Sequence, residues 1–257
     1  MAVLWAIAAL QVITGAIVIV RLSRGRERAR PLLSGSAAPP ASITILIPAR
    51  NEALRIGPLL EALRHAGPAV GEIIVVDDRS DDDTRAVVRS HAEDDSRIVL
   101  VEGVQPIDGW VGKQHALQQG LEVATAPWTL CLDADARPDP ALPDALVLAA
   151  EEHGYDALTA GPRFAVDTVG ETILHPALLA TLVYRFGPPT VAPVASTRTV
   201  ANGQCLLVPT RRFREAGGWQ PVAANMTEDV ALARHLVGDG WRLGLVDAAP
   251  LLVVDMH

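Results

Sequence analysis

The 257 residues suffice for one large α/β domain or two small ones, and 49% apolar residues are enough for a sizeable core. A formal net charge of −8, with basic residues gathered in one short stretch only, argues against a nucleic-acid binder. The two cysteines, Cys131 and Cys205, each lie inside an apolar run and read as buried thiols of a reducing compartment, in preference to a disulfide or metal site.

The chain opens with Ala2 to Val20, apolar or small except for Gln11, Thr14 and Gly15, close to the ~20 residues needed to cross a bilayer. Arg21, Arg24, Arg26, Arg28 and Arg30 follow at once. A cleavable signal peptide puts its positive charges before the apolar segment, and here the order is reversed. The expected organisation is a transmembrane anchor over residues 1–22, a basic flank and linker over 23–41, and a folded domain over 42–257. The positive-inside rule places the arginines and all that follows them on the cytoplasmic side of the cell membrane.

From Ser42 onward, strand-like and helix-like runs alternate. Short apolar runs at Ile43–Ile47, Ile73–Val76, Ile98–Val101 and Trp128–Leu132 read as buried strands. Between and after them, Glu52–Arg64, Thr84–Ala92, Lys113–Ala124 and Pro140–Glu151 read as helices, the first with Ile56, Leu59, Leu60 and Leu63 at helical spacing. This βαβα rhythm predicts an α/β fold, a mainly parallel sheet with helices on both faces. Such sheets bind ligands just beyond the carboxyl ends of their strands, so the polar residues there are the ones to examine.

Three strand ends offer carboxylates or amides to one crevice. The first runs into Pro48-Ala49-Arg50-Asn51-Glu52, the second into Asp77-Asp78-Arg79-Ser80, the fourth into Asp133-Ala134-Asp135. Two carboxylates one residue apart can hold a hard cation such as Mg²⁺ or Mn²⁺ with positions left open for diphosphate oxygens. Asp77 and Asp78 either serve the start of the next helix or accept from the N–H and hydroxyl groups of a nucleoside. Further on, Thr227-Glu228-Asp229 opens a segment with Val230, Ala231, Leu232 and Leu236 at helical spacing; Thr227 can cap it while Asp229 faces an acceptor. Asn202-Gly203-Gln204 precedes the apolar run Cys205–Val208, and Gly203 can let a ligand approach the backbone closely. Of 22 basic residues only Lys113 is a lysine. His91, His115 and His235 have no metal-ligand spacing and read as surface or helix residues.

Taken together, Pro48–Glu52, Asp77-Asp78, Gly112-Lys113, Asp133-Ala134-Asp135 and Thr227-Glu228-Asp229 resemble the family 2 glycosyltransferases of GT-A fold, in the family's order from about Ser42 to the C-terminus. The set is most similar to lipid-acceptor members such as the ceramide glucosyltransferases and the carotenoid or hopanoid glycosyltransferases. The resemblance implies that Pro48, Arg50, Asn51, Glu52, Asp77, Asp78, Lys113, Asp133 and Ala134 serve a nucleotide-sugar donor, most often a UDP-sugar. It implies further that Asp133 and Asp135 hold a divalent metal, that Asp229 is the general base beside Glu228, and that Asn202, Gly203 and Gln204 line the side of a lipid or glycan acceptor. A single displacement then inverts the anomeric centre. Arg79 stands where the family often has glycine, and no Gln-x-x-Arg-Trp motif follows. Relatives usually continue beyond the position of His257 into further membrane segments, so the chain reads as a fragment or a short variant.

Two other readings share these residues. A sugar nucleotidyltransferase has a similar sheet but needs a glycine-rich phosphate loop after its first strand, and Pro48 to Glu52 holds no glycine. An inactive, membrane-tethered nucleotide-sugar-binding domain would lack the metal pair or the base, and both are present.

Overall fold

The computed structural model describes residues 1–23, 30–165 and 199–255, with residues 168, 170, 180, 181 and 184 between the last two stretches. Arg24, Arg26 and Arg28 lie outside the described residues. The first helix, α1, is Ala2–Ser23. Among the described residues no helix is long and apolar enough to cross a membrane; in α1 the side chains at 2, 3 and 6 are outside that set.

The α/β rhythm is present as expected. In chain order it gives β1 (Ile43–Ala49), α2 (Ala53–Arg64), β2 (Val70–Asp77), α3 (Thr84–Asp94), β3 (Ile98–Glu102), α4 (Gly112–Val123) and β4 (Trp128–Leu132). Then come β5 (Ala136–Pro138), α5 (Leu142–His153), β6 (Ala157–Gly161) and β7 (Arg163–Ala165). The last part holds β8 (Cys205–Pro209), α6 (Thr210–Glu215), α7 (Glu228–Gly238), β9 (Leu243–Asp247) and β10 (Leu252–Asp255). Seven strands form one sheet in the order β3-β2-β1-β4-β8-β6-β9, and β5-β10-β7 form a small second sheet.

Alternation along the strands explains why helices cover both faces. Ile45, Ile47, Ile73 and Val75 face α2 and α5, packing with Leu59, Leu60 and Leu146. Their neighbours Leu46, Ile74 and Val76 face the other way, against Leu117 and Leu121 of α4. That second face also holds Phe213, Trp219 and Trp241. A Cβ on Gly120 would stand 2.1 Å from Leu46 Cδ1, so α4 rests on β1 only because this residue has no side chain.

Register decides what meets at the sheet edge. Ala49 pairs with Asp77, and Asp77 with Glu102, so the first three strands end level. β8 runs antiparallel to β4, with Leu132 opposite Cys205. The residues before β8 therefore arrive at the edge where β4 ends. Sequence periodicity carries no strand direction, and this one reversal brings Asn202 to Gln204 beside Asp133. In the second sheet, β10 is stitched to the turn after β4: the Asp255 N–H donates to the Asp135 carbonyl at 3.3 Å, and Arg137 pairs with Asp255 at 3.1 Å.

Candidate active site

At the carboxyl edge lies a cleft of about 390 Å³. Pro48, Arg50 and Glu52 line it from the end of β1, Asp78 from the end of β2, and Gly112 and Lys113 from the start of α4. Asp133, Ala134 and Asp135 close it from the end of β4. Most of the residues named for a donor thus share one cavity, as expected of a parallel sheet whose polar residues follow its strands.

Two residues of that set are turned to other work. Asp77 is buried, its carboxylate paired with Arg85 and accepting from the Ser80 N–H at 3.3 Å; it shapes the turn after β2 and does not line the cleft. Asn51 has φ +56, and its side-chain oxygen accepts from the Asp81 N–H at 2.9 Å. In return Ser80 and Thr84 hydroxyls accept from the N–H groups of Asn51 and Glu52 at 2.9 and 2.8 Å. Asn51 therefore knots two loops together behind the cleft. Arg85 is not singled out by the sequence, because nothing in local spacing says which strand end an arginine will reach.

Lys113 is the centre of charge. Its Nζ lies 2.9 Å from Asp133 and 3.1 Å from Glu228, tying the end of β4 to the start of α7. Burial opposes its charge, but the two carboxylates outweigh burial and hold its pKa above the ordinary lysine value. Burial pushes the Asp133 carboxyl up, against the pull of Lys113, with Asp135 and Glu228 adding to the push. The two shifts have different causes: the carboxylates hold the ammonium charged, whereas burial, helped by neighbouring carboxylates, works against the charge on Asp133.

Beyond Lys113, Asp229 and Glu228 line a small cavity of about 20 Å³ with Asn202 and Gly203. The Gly203 N–H donates to Asp229 at 3.3 Å, and a Cβ there would lie 3.2 Å from Asp229 Cβ and 3.4 Å from Glu228 Oε1. Glycine is what lets the chain before β8 press against α7. Gln204 is outside this lining; its backbone holds the β4 turn, its carbonyl accepting from the Asp133 N–H at 3.3 Å. Asn202 secures the same loop by donating its side-chain amide to the Ala160 carbonyl at 3.2 Å. His115 is buried in α4, edge-on to Trp110. Cys131 and Cys205 are buried free thiols.

A divalent cation fits the β4 turn by one observation in particular. Asp135 Oδ1 is buried with no hydrogen-bond partner, a costly state for a carboxylate unless something else takes the lone pair. Burial, and the negative charge of Glu52 nearby, push the Asp135 carboxyl up, which marks a site short of positive charge. Among the described residues no group of three or more His, Cys, Asp or Glu could hold a metal by itself. Asp133 and Asp135 alone would leave most coordination positions to diphosphate oxygens and water, the usual state of Mg²⁺ at phosphates.

Residues 44–200 match the family described as glycosyl transferase family 2. The chain belongs to that family. A curated relative, the 4,4'-diaponeurosporenoate glycosyltransferase of Staphylococcus aureus (strain bovine RF122 / ET3-1), is 41% identical over 95 residues, 37% of this chain and 24% of that protein. The match therefore spans about a quarter of the length of the curated relatives. Among solved structures, the mannosyltransferase PcManGT of Pyrobaculum calidifontis in complex with GDP-Man and Mn²⁺ superposes with a TM-score of 0.65 at 21% identity, over 98% of this chain and 67% of that one. TarS 1-349 of S. aureus in complex with UDP gives 0.61 at 15% identity, over 84% and 60%. These likenesses establish the GT-A type of fold for this family 2 domain.

Proposed function

We propose that this family 2 domain is an inverting, metal-dependent glycosyltransferase that moves a hexose from a UDP-sugar to a hydroxyl of a lipid or polysaccharide acceptor. The observation that carries the reading is the ion pair of Lys113 with both Asp133 and Glu228, which joins a cleft fit for a nucleoside diphosphate to a second carboxylate pair fit for proton removal. The solved relative that holds GDP-Man and Mn²⁺, and the one that holds UDP, support a nucleotide-sugar donor and a divalent ion. The name of the curated relative supports a lipid acceptor.

The chemistry is a single displacement. Asp229 accepts the proton of the acceptor hydroxyl as its oxygen attacks the anomeric carbon from the face opposite the diphosphate. The bond from that carbon to the diphosphate oxygen breaks, and the nucleoside diphosphate leaves with the electron pair. Lys113 lends positive charge to the leaving diphosphate, while Asp78 and Arg50 hold the nucleoside end. A divalent cation held by Asp133 and Asp135 would supply Lewis-acid neutralisation of the same leaving group. Glu228 keeps Lys113 in place and charged.

The proposal extends to a membrane anchor. α1 exposes Leu4, Trp5, Leu10, Val12, Ile13, Ile19 and Val20, and apolar side chains in such number on one helix call for a cover. A bilayer, with the catalytic domain on its cytoplasmic side, is the cover that suits a lipid acceptor. The test is a donor screen by nucleoside-diphosphate release, with and without membrane lipid extract, on the full chain and on a chain beginning at Ala41. UDP release that needs both a divalent ion and the extract is expected, with donor binding retained in the shorter chain. Release with no UDP-sugar, in any lipid, would end the reading.

A further inference from the structure

Arg79 stands at the turn after β2 with φ +57, in the left-handed region that a residue with a side chain enters at a cost. Backbone of this kind persists where the side chain has work to do. Its guanidinium Nε donates to Asp78 Oδ1 at 3.1 Å, and Nη1 donates to Gln105 Oε1. Gln105 belongs to the segment between β3 and α4, where the neighbouring Val104 N–H donates to Gln119 Oε1 of α4 at 2.9 Å. One side chain thus ties Asp78, on one wall of the cleft, to the segment that leads into Gly112 and Lys113 on the other.

The consequence falls on Asp78. The carboxylate is buried, and its Oδ1 already accepts one hydrogen bond from Arg79. Its Oδ2 is turned toward Gly112, where a Cβ would stand 2.5 Å away, and lies 3.6 Å from Arg50 Nη1, beyond hydrogen-bond reach. A free carboxylate can receive the parallel N1–H and N2–H of guanine with both oxygens. Arg79 fixes the carboxylate's orientation and competes for Oδ1, which leaves Oδ2 as the less engaged oxygen. That matches the single imide N–H of uracil, and the exposed Arg50 guanidinium beside it can donate to a flanking uracil carbonyl. We infer that Arg79 is a positioning residue for the donor nucleobase: by competing for Asp78 Oδ1 it sets the cleft for uracil over guanine. This rests on the donor-cleft reading above.

The test measures UDP and GDP affinity by calorimetry in the wild type, Arg79→Gly and Arg79→Lys. The wild type should prefer UDP by about ten-fold or more, the worth of one hydrogen bond to a charged group. Arg79→Gly, relieved of its left-handed strain, should melt at the same or a higher temperature. It should nevertheless lose most of the UDP:GDP preference, and Arg79→Lys should recover part of it. In an Asp78→Ala background, Arg79→Gly should change neither affinity, because Arg79 acts through that carboxylate. An unchanged UDP:GDP ratio in Arg79→Gly, or a wild type that prefers GDP, overturns the inference. A wild type that binds neither nucleotide overturns the donor-cleft reading instead, and the two failures are distinct.

Discussion

The two sides of the cleft are built by different means. On the β1–β2–β4 side, parallel strands in register carry Pro48, Asp78 and Asp133 to one edge by topology, and contacts such as Asn51 with Asp81 only tie loops that the strands have already brought together. On the β8–α7 side the strand is reversed, and the residues before it are held by specific contacts: Gly203 against Asp229, Asn202 against Ala160, and Lys113 reaching Glu228. A topological site tolerates change in any one side chain, since the backbone still presents the others. A site assembled from contacts fails when one contact goes. Substitutions of residues that act alone at the cleft should therefore damage one function each, and those that break the Lys113 ion pairs joining the two sides should spread.

The largest effect is expected at the β4 turn. Asp133→Ala removes the carboxylate shared by the proposed metal and Lys113, so transfer should fall to background while the far-ultraviolet circular dichroism stays native. Because Lys113 also holds Glu228, the loss should exceed that from chelation of the wild type by EDTA. Full activity in EDTA would remove the metal from the reaction, and residual activity in Asp133→Ala would show the two sides to be independent.

Next in size is Asp229→Asn, which keeps shape and removes basicity. A general base contributes on the order of 10²–10⁴-fold, and transfer should fall within that range while nucleoside-diphosphate affinity stays within a few-fold. If Asp229 only stabilises the start of α7, the variant should retain near-wild-type turnover and lose at most about 1 kcal/mol of stability. Steady-state rates beside a melting curve separate these outcomes.

The contrast between the two sides also explains what could be read from the chain. All four early strands and their helices were legible, because Ile43–Ile47 or Ile73–Val76 can only be buried strands when polar turns flank them. Asp78, Asp133 and Asp135 were legible for the same reason, each being the first polar residue or two after such a run. β5, β7 and β10 were not, since three or four residues such as Arg163–Ala165 carry no periodicity. The same holds for Asp77: two adjacent aspartates look alike in sequence, and only the pleat decides that one faces Arg85 and the other the cleft. Lys113 stood out by its rarity, but its bond to Glu228 depends on the reversal of β8, which no local pattern announces.

The smallest expected effect sharpens the comparison between site and scaffold through two aspartates. Asp95 is a scaffold acid: its hydrogen bonds with Arg97, which also donates to the Leu63, Arg64 and Ala66 carbonyls at the end of α2, hold its carboxyl below the usual range. A depressed pKa contributes stability that is full above the unfolded value and is lost as pH falls through the folded one. Asp135 has the opposite sign. Burial raises its carboxyl, so it costs nothing in acid, where both states are protonated, and its penalty grows as pH climbs from the ordinary carboxylate value through the raised one. Asp135→Asn removes the charge and should raise the melting temperature at neutral pH by about 1–2 °C, the burial cost of a half-exposed carboxylate being reduced by solvent screening. The gain should vanish toward pH 3. Asp95→Asn should lower the melting temperature at neutral pH and converge on the wild type in acid. Addition of Mn²⁺ gives a further separation, stabilising the wild type and Asp95→Asn but not Asp135→Asn. A fall in melting temperature for Asp135→Asn at neutral pH would mean that its carboxylate is satisfied without a cation, and the β4 turn would then be scaffold like the rest.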